Sequence, residues 1–328
     1  MLGGLLSLLS AATFALNNAS VRRGVLTGSV AQALAITLPV GIPIFLVTAW
    51  AFGSLEAMLQ FSPMSLMWLS LAGVAHFTWG RYCNYRATKA MGAVLVGPVQ
   101  QTSLVFTLAA AIWILDEVLT PLRLIGIGLV MLGPAIGLTS GEEKKSETAK
   151  ADGKVAFKPD LFEGYLFALL SSTGYGISPI LVRLGLEHGG IPASVAAGFI
   201  SYTAATLAFA LCLFWPGQLK HVLDIKPEAA KWFTISGVFV CVSQMFRYMA
   251  LAVAPVSVVS PIQRLSILFR IYFAKILSPD HEVFGERILL GTVISLIGAV
   301  ALSVSTEWVL EMVPLPEAIV TLARWQWP

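Results

Sequence analysis

The sequence predicts an all-α integral membrane protein: ten transmembrane helices as two inverted five-helix repeats around a central cavity. Composition is the first of three observations behind this. Hydrophobic residues make up 57% of the 328 and charged residues only 12%, with a net charge of +3. A soluble domain carries a charged fraction of about 25%. Mean hydropathy is +0.80. The second observation is continuity: apolar runs follow one another along nearly the whole chain, each long enough for about 30 Å of hydrocarbon. The third is an internal repeat.

The ten runs fall at residues 2–21, 30–52, 65–87, 91–114, 121–139, 163–183, 193–215, 231–252, 256–277 and 286–305. The repeat is clearest across the third and fourth. Asn84 to Phe106 is answered by Arg247 to Phe269 at an offset of 163, pairing Tyr85 with Tyr248, Gln100 with Gln263 and Ser103 with Ser266. The segment from Leu8, LLSAATFALNNASVRRG, pairs with LLSSTGYGISPILVRLG from Leu169 at offset 161. The segment from Glu117 pairs with that from Glu282 at offset 165. Matched elements keep their order, so five spans have been duplicated. Five is odd, so the halves must sit in the membrane with opposite topology. Inverted repeats of this kind typify transporters, with a substrate site between the halves.

Residues 1–140 therefore form the first repeat and 162–305 the second. Between them, 141–161 mixes both charges with almost nothing apolar and reads as a flexible, solvated linker. The tail, 306–328, is broken by proline, carries Trp308, Trp325 and Trp327, and suits the membrane interface. Of the 21 Lys and Arg, fourteen fall on the side holding Arg22, Arg86 and the linker, and four on the other. By the positive-inside rule the basic side is cytoplasmic and both termini are extracytoplasmic, in the cell (inner) membrane. Trp50, Trp68 and Trp113 mark outer span ends, and Trp215 and Trp232 inner ones. Cys83, Cys212 and Cys241 lie in apolar runs without paired or metal-type spacing, as packing residues would. No cleavable signal peptide is expected, since no basic region precedes the first apolar run.

With these residues in view, the chain resembles the EamA-type members of the drug/metabolite transporter superfamily. The likeness rests on Tyr85, Ala87, Pro98, Glu117, Gly126 and Gly133, and on their second copies Tyr248, Ala250, Pro261, Glu282, Gly291 and Gly298. It implies a ten-helix bundle whose cavity is lined mainly by spans three, four, eight and nine. It names no substrate. In the second copy Ala254-Pro255 replaces the turn at Met91-Gly92.

The candidate site residues are the polar groups of those spans. Arg81 and Asn84 share one face of span three, and Gln244 and Arg247 the matching face of span eight, with the chemistry exchanged between copies. Arg81 and Arg247 either line the site or snorkel to headgroups. Gln100 and Gln101 lie in span four; Gln263, Arg264 and Arg270 fall within an arc of about 120° in span nine. Arg264 is near mid-span, where facing lipid would cost at least about 2.5–3.5 kcal/mol, so it must face protein or water. Asn17, in span one, either meets substrate or bridges helices. His76 is expected to bridge helices rather than relay protons. Glu117 and Glu282 are expected to stabilise a helix dipole or to pair with an arginine.

Four arginines inside the spans, with no carboxylate at the same depth, predict an anionic or zwitterionic metabolite, such as an amino acid, an organic acid or a phosphorylated compound. They equally predict no transport of lipophilic cations. No phosphate loop, metal spacing or catalytic base is present, so no enzyme, cofactor or metal is expected, and no nucleic-acid partner. Both halves lie in one chain, so a monomer among membrane lipids should suffice. The alternative is a non-transporting membrane assembly or lipid-scrambling subunit.

Overall fold

A computed structural model gives the fold, and describes residues 2–115, 120–147, 157–186, 190–254, 259, 262–304, 306–312 and 316–325. Among these the chain is all helical. The first half holds α1 (Leu2–Gly24), α2 (Val30–Thr37), α3 (Gly41–Ala51), α4 (Pro63–Gly73), α5 (Arg81–Met91), α6 (Ala93–Gln100), α7 (Ser103–Leu115) and α8 (Pro121–Glu147). The second holds α9 (Leu161–Gly185), α10 (Ile191–Leu213), α11 (Gln218–Leu223), α12 (Pro227–Val253), α13 (Ser266–Leu277) and α14 (Glu286–Ser303). The short helices α15 (Thr306–Met312) and α16 (Glu317–Ala323) follow.

Among the described residues, six helical stretches are long and apolar enough to cross a membrane: Leu2–Gly24, Val30–Ala51, Ala93–Ala110, Leu161–Gly185, Ile191–Leu213 and Pro227–Val253. The bent pair Glu286–Ala301 and Thr306–Met312 would make a seventh. The expected third span falls short for a physical reason: its second half carries Arg81 and Arg86, and the π turn Val74–Gly80 interrupts its α-helix. In the ninth, residues 259 and 262–277 are described, and its continuous helix α13 has only 12 residues, with Arg270 and Lys275 inside. The eighth helix runs past the expected linker boundary to Glu147. Residues 148–156, Glu117, Pro255 and Pro261 lie outside the described residues. Of the three cysteines, Cys83 and Cys241 are buried as expected, whereas Cys212 is exposed.

Three local departures from regular helix shape the interior. A wide π turn, Val74–Gly80, joins α4 to α5. It carries His76, and turns of this kind re-aim side chains at functional sites. Thr78 Oγ1 donates to the Ala205 carbonyl there, at 3.0 Å. The fourth span breaks at Gln101 and Thr102, between α6 and α7. Pro98 lies inside α6 and supplies no N–H to its ladder. The matching break in the second half falls at Leu265, just before α13. Ser103 and Ser266, partners in the repeat, thus each open the second part of a broken helix.

Close contact needs small residues. Gly126 and Gly133 of α8 face Gly291 and Gly298 of α14, so the glycines shared by the two copies meet each other. A Cβ on Gly298 would lie 2.7 Å from the Val130 nitrogen and 2.8 Å from the Gly126 carbonyl oxygen.

One end of the bundle is fastened by Arg22, at the end of α1. Its Nη1 donates to the carbonyls of Thr88 and Lys89, both at 3.0 Å. Its Nε lies 3.6 Å from Glu282. Glu282 accepts from the N–H groups of Ala93, at 2.8 Å, and Val94, at 3.0 Å. The carboxylate therefore does stabilise a helix start and pair with an arginine. The helix is α6, about 190 residues away in sequence, rather than its neighbour α14. Gly92 makes the approach possible with φ of +87°, a conformation that disfavours side chains.

Candidate functional site

Two cavities meet at the centre of the bundle. The larger encloses about 670 Å³ not filled by atoms, part of it open to solvent. Its walls come from α1 (Ser10, Phe14), the π turn (His76), α9 (Tyr175), α12 (Ser243, Gln244, Arg247) and span nine (Gln263, Arg264, Ser266). The smaller, of about 330 Å³, is lined by Gln100, Gln101, Arg264 and Arg270 among others. Phe14, Tyr175, Arg264 and Ser266 line both.

Arg247 is held from three directions. Its Nη1 donates to Gln244 Oε1 at 3.1 Å and lies 3.2 Å from His76 Nδ1, and its Nη2 donates to Ser178 Oγ at 3.2 Å. His76 Nδ1 is itself 2.8 Å from Ser178 Oγ. The histidine bridges helices, as expected, and the helices it bridges form the cavity wall. Gln263 Nε2 donates to Ser10 Oγ at 3.3 Å. Arg264 donates from Nη1 to Ser103 Oγ at 2.8 Å, while its Nε is buried without a partner among the described residues.

The smaller cavity adjoins a closed chain of polar groups. Arg270 Nη2 donates to Gln100 Oε1 at 2.7 Å. Gln100 Nε2 donates to Asn84 Oδ1 at 2.6 Å, and Asn84 Nδ2 to Asn18 Oδ1 at 3.1 Å. Gln101 Oε1 is buried and unpartnered among the described residues.

Of the ten residues singled out from the sequence, Arg247, Arg264, Gln244 and Gln263 come together around the larger cavity. Gln100, Gln101 and Arg270 line the smaller one, and Asn84 joins them through the polar chain. Arg81 and Asn17 line neither. Arg81 is 2% exposed; it donates to the Thr37 carbonyl at 3.1 Å and the Tyr202 hydroxyl at 2.8 Å, over the rings of Phe77 and Tyr202. Asn17 Oδ1 accepts from Tyr85 at 3.1 Å and Ser236 at 2.7 Å. Both tie helices together, and Arg81 does not snorkel.

Sequence reasoning passed over Phe14 and Tyr175. Their ring centroids are 6.2 Å apart, edge to face, between the two cavities. The signal was available: at offset 161 the two are partners in the repeat.

Among the described residues, no group of His, Cys, Asp and Glu is placed to hold a metal ion. Among the described residues, no Asp or Glu lines either cavity. The site thus presents guanidinium, amide and hydroxyl groups around an aromatic pair.

Comparison with known proteins places this arrangement. No curated protein matches the chain. A solved structure titled "Crystal structure of protein" is 18% identical, covers 91% of this chain and 94% of its own, and superposes with a TM-score of 0.53. That likeness speaks to the fold. The family model for the EamA-like transporter family matches twice, over residues 1–138 and 162–304, the two repeats read from the sequence. The chain is therefore a multi-pass membrane protein of the EamA-like transporter family.

Proposed function

We propose that the protein is a secondary transporter of a small anionic or zwitterionic metabolite bearing a carboxylate or phosphate. The observation that carries this is the charge of the larger cavity. Among the described residues, Arg247 and Arg264 line it with no carboxylate beside them, and the Arg264 Nε has no acceptor. Two guanidinium groups within a membrane protein call for an anion, and their planar forks suit carboxylate or phosphate. Gln244, Gln263, Ser10 and Ser243 add donors and acceptors for hydroxyl, amide or amino groups. Ser266 opens α13, whose N-terminal dipole favours a negative ligand.

Ten spans in two inverted five-helix repeats, working by alternating access, fit the duplicated family match and the paired helix breaks. The excess of basic residues on one side supports a cytoplasmic 141–161 segment, extracytoplasmic termini and the cell membrane as location. Labelling of a single cysteine in that segment by an impermeant reagent in intact cells would overturn the orientation.

The deciding experiment is transport by purified protein in proteoliposomes, using radiolabelled carboxylates, phosphorylated metabolites and quaternary ammonium compounds. Accumulation of one or more anions or zwitterions, with none of the cations, is expected. Transport of cations alone would refute the electrostatic reading. No transport of any solute, together with lipid scrambling, would favour the non-transporting alternative.

A further inference from the structure

A second pair of contiguous cavities lies on the outside of the bundle, away from the central site. One is an apolar groove of about 1750 Å³, counting space open to the surroundings, walled by Leu34, Val74, Trp79, Phe209, Leu211 and Phe214. The other is a polar recess of about 1130 Å³ that holds Arg86, Lys89, His221 and Glu163. Ala31, Tyr82 and Gln218 line both, so the two are one continuous cleft with an apolar end and a basic end. Val74 to Tyr82 and Tyr82 to Ala90 each span about 12 Å along the helix at about 1.5 Å per residue.

By the positive-inside rule the basic end, with Arg86 and Lys89 at the end of α5, would face the cytoplasmic headgroups. Trp215 and Phe214, at the rim, are 74% and 84% exposed. The short helix α11 beside it exposes Leu219 and Leu223 along with His221, so apolar and polar side chains alike are open to the surroundings there. It is anchored there: Gln32 Nε2 donates to the carbonyls of His221, at 2.9 Å, and Asp224, at 3.0 Å.

The charges of the recess do not cancel. Glu163 takes Arg86 at 2.6 Å. Lys89 Nζ has only a long hydrogen bond to the Gly28 carbonyl, at 3.4 Å. His221 Nε2 lies 2.9 Å from Ser29 Oγ. Among the described residues one cation is left over beside a histidine, an arginine fork and a tyrosine hydroxyl, at the mouth of an apolar groove.

We propose that this cleft binds one anionic glycerophospholipid. Its phosphodiester sits between Lys89, Arg86 and His221, and an acyl chain follows the groove past Tyr82 toward Val74. A basic pocket between helices, on the face that carries the most positive charge, is the chemistry that retains acidic headgroups. An excess of one cation favours a net-negative headgroup over phosphatidylcholine by about fivefold, the equivalent of about 1 kcal/mol for one basic residue at a lipid surface.

The test uses the full chain in mild detergent, with native mass spectrometry after titration with phosphatidylglycerol or phosphatidylcholine of identical acyl chains. Phosphatidylglycerol is expected to be retained at least fivefold more strongly. Lys89→Gln, an exposed position that should leave folding intact, should bring it to the phosphatidylcholine level. Ala31→Trp, which fills the junction of the two cavities, should displace both lipids, with the elution volume and melting midpoint of each variant unchanged. Equal retention of the two lipids by the unaltered protein would overturn the proposal, as would an undiminished preference in both variants. Binding of soluble glycerol 3-phosphate as tight as that of the lipid would overturn it too, by showing a headgroup site with no use for the groove.

Discussion

Two polar clusters occupy equivalent places in the two repeats, and they are built differently. In the first half, Asn84 and Gln100 are joined into an unbroken chain from Asn18 to Arg270, and space beside it is small. In the second half their partners are Arg247 and Gln263, which stand around the larger cavity beside Arg264, whose Nε has no partner among the described residues. The frame is duplicated while the filling is not. Polar groups that satisfy one another close a passage; polar groups left incomplete wait for a ligand. A single sequence can hold both conditions at once because duplication let each copy change alone.

The largest expected effect breaks the open side. Arg264→Gln should lower kcat/KM for the anion about 100-fold, close to the upper figure of about 3 kcal/mol for a charge-assisted hydrogen bond. Arg264→Lys keeps the charge, loses the fork, and should fall between. Proteoliposome transport at equal protein incorporation measures both; unchanged kinetics for Arg264→Gln would remove Arg264 from the site. Next comes the closed side. Asn84→Ala leaves Asn18 Oδ1 and Gln100 Nε2 without each other's bridge, at about 1–3 kcal/mol for each orphaned group. Turnover should change about tenfold while KM stays within about twofold, since the ligand cavity is untouched. A large KM change with normal turnover would put Asn84 in the binding site instead.

Smaller still is the third effect, which contrasts Arg81 with its repeat partner Gln244. Arg81→Gln should lower the melting midpoint by several degrees, consistent with about 2–3 kcal/mol for buried charged hydrogen bonds. Its KM should not move, whereas Gln244→Ala should raise KM. The least change is expected at Thr107, which stands where the other copy has Arg270. Its hydroxyl donates to the carbonyls of Gly176 and Ser103, at 2.8 and 2.9 Å. Thr107→Val should alter kcat/KM by about threefold at most, within the roughly 0.5–1.5 kcal/mol of a neutral hydrogen bond.

How much of this was legible in the sequence depends on what each feature rests on. The duplication, the helical class and the inward demand of Arg264 follow from spacing and from the cost of charge in lipid, which are local properties. Arg81, a site candidate by sequence, lines neither central cavity, because it is taken up by Thr37 and Tyr202, 44 and 121 residues away. Nothing near it in sequence says that those groups will absorb its charge. Glu282 was read correctly in kind but assigned to the adjacent helix, because capping a remote helix depends on the fold. Phe14 and Tyr175 look like ordinary apolar filler on amphipathic counting. Only their equivalence in the repeat, seen with the geometry, marks them as the pair between the cavities. The π turn has no signal beyond the small residues Gly73 and Gly80 at its ends.

The fastening of Arg22 also sets a timetable for biogenesis. The first helix is made first, but Glu282 and the His281 carbonyl that hold its arginine come about 260 residues later. At roughly 5–20 residues per second, the ribosome needs about 13–50 s to supply them. For most of that interval the guanidinium of the first helix has the Thr88 and Lys89 carbonyls but lacks the carboxylate and the carbonyl that complete its set of partners. A chain stopped before Glu282 would keep its first spans in the membrane yet leave that end unlocked, a ready signal for a quality-control protease. Completion of the last helices is then what certifies the first.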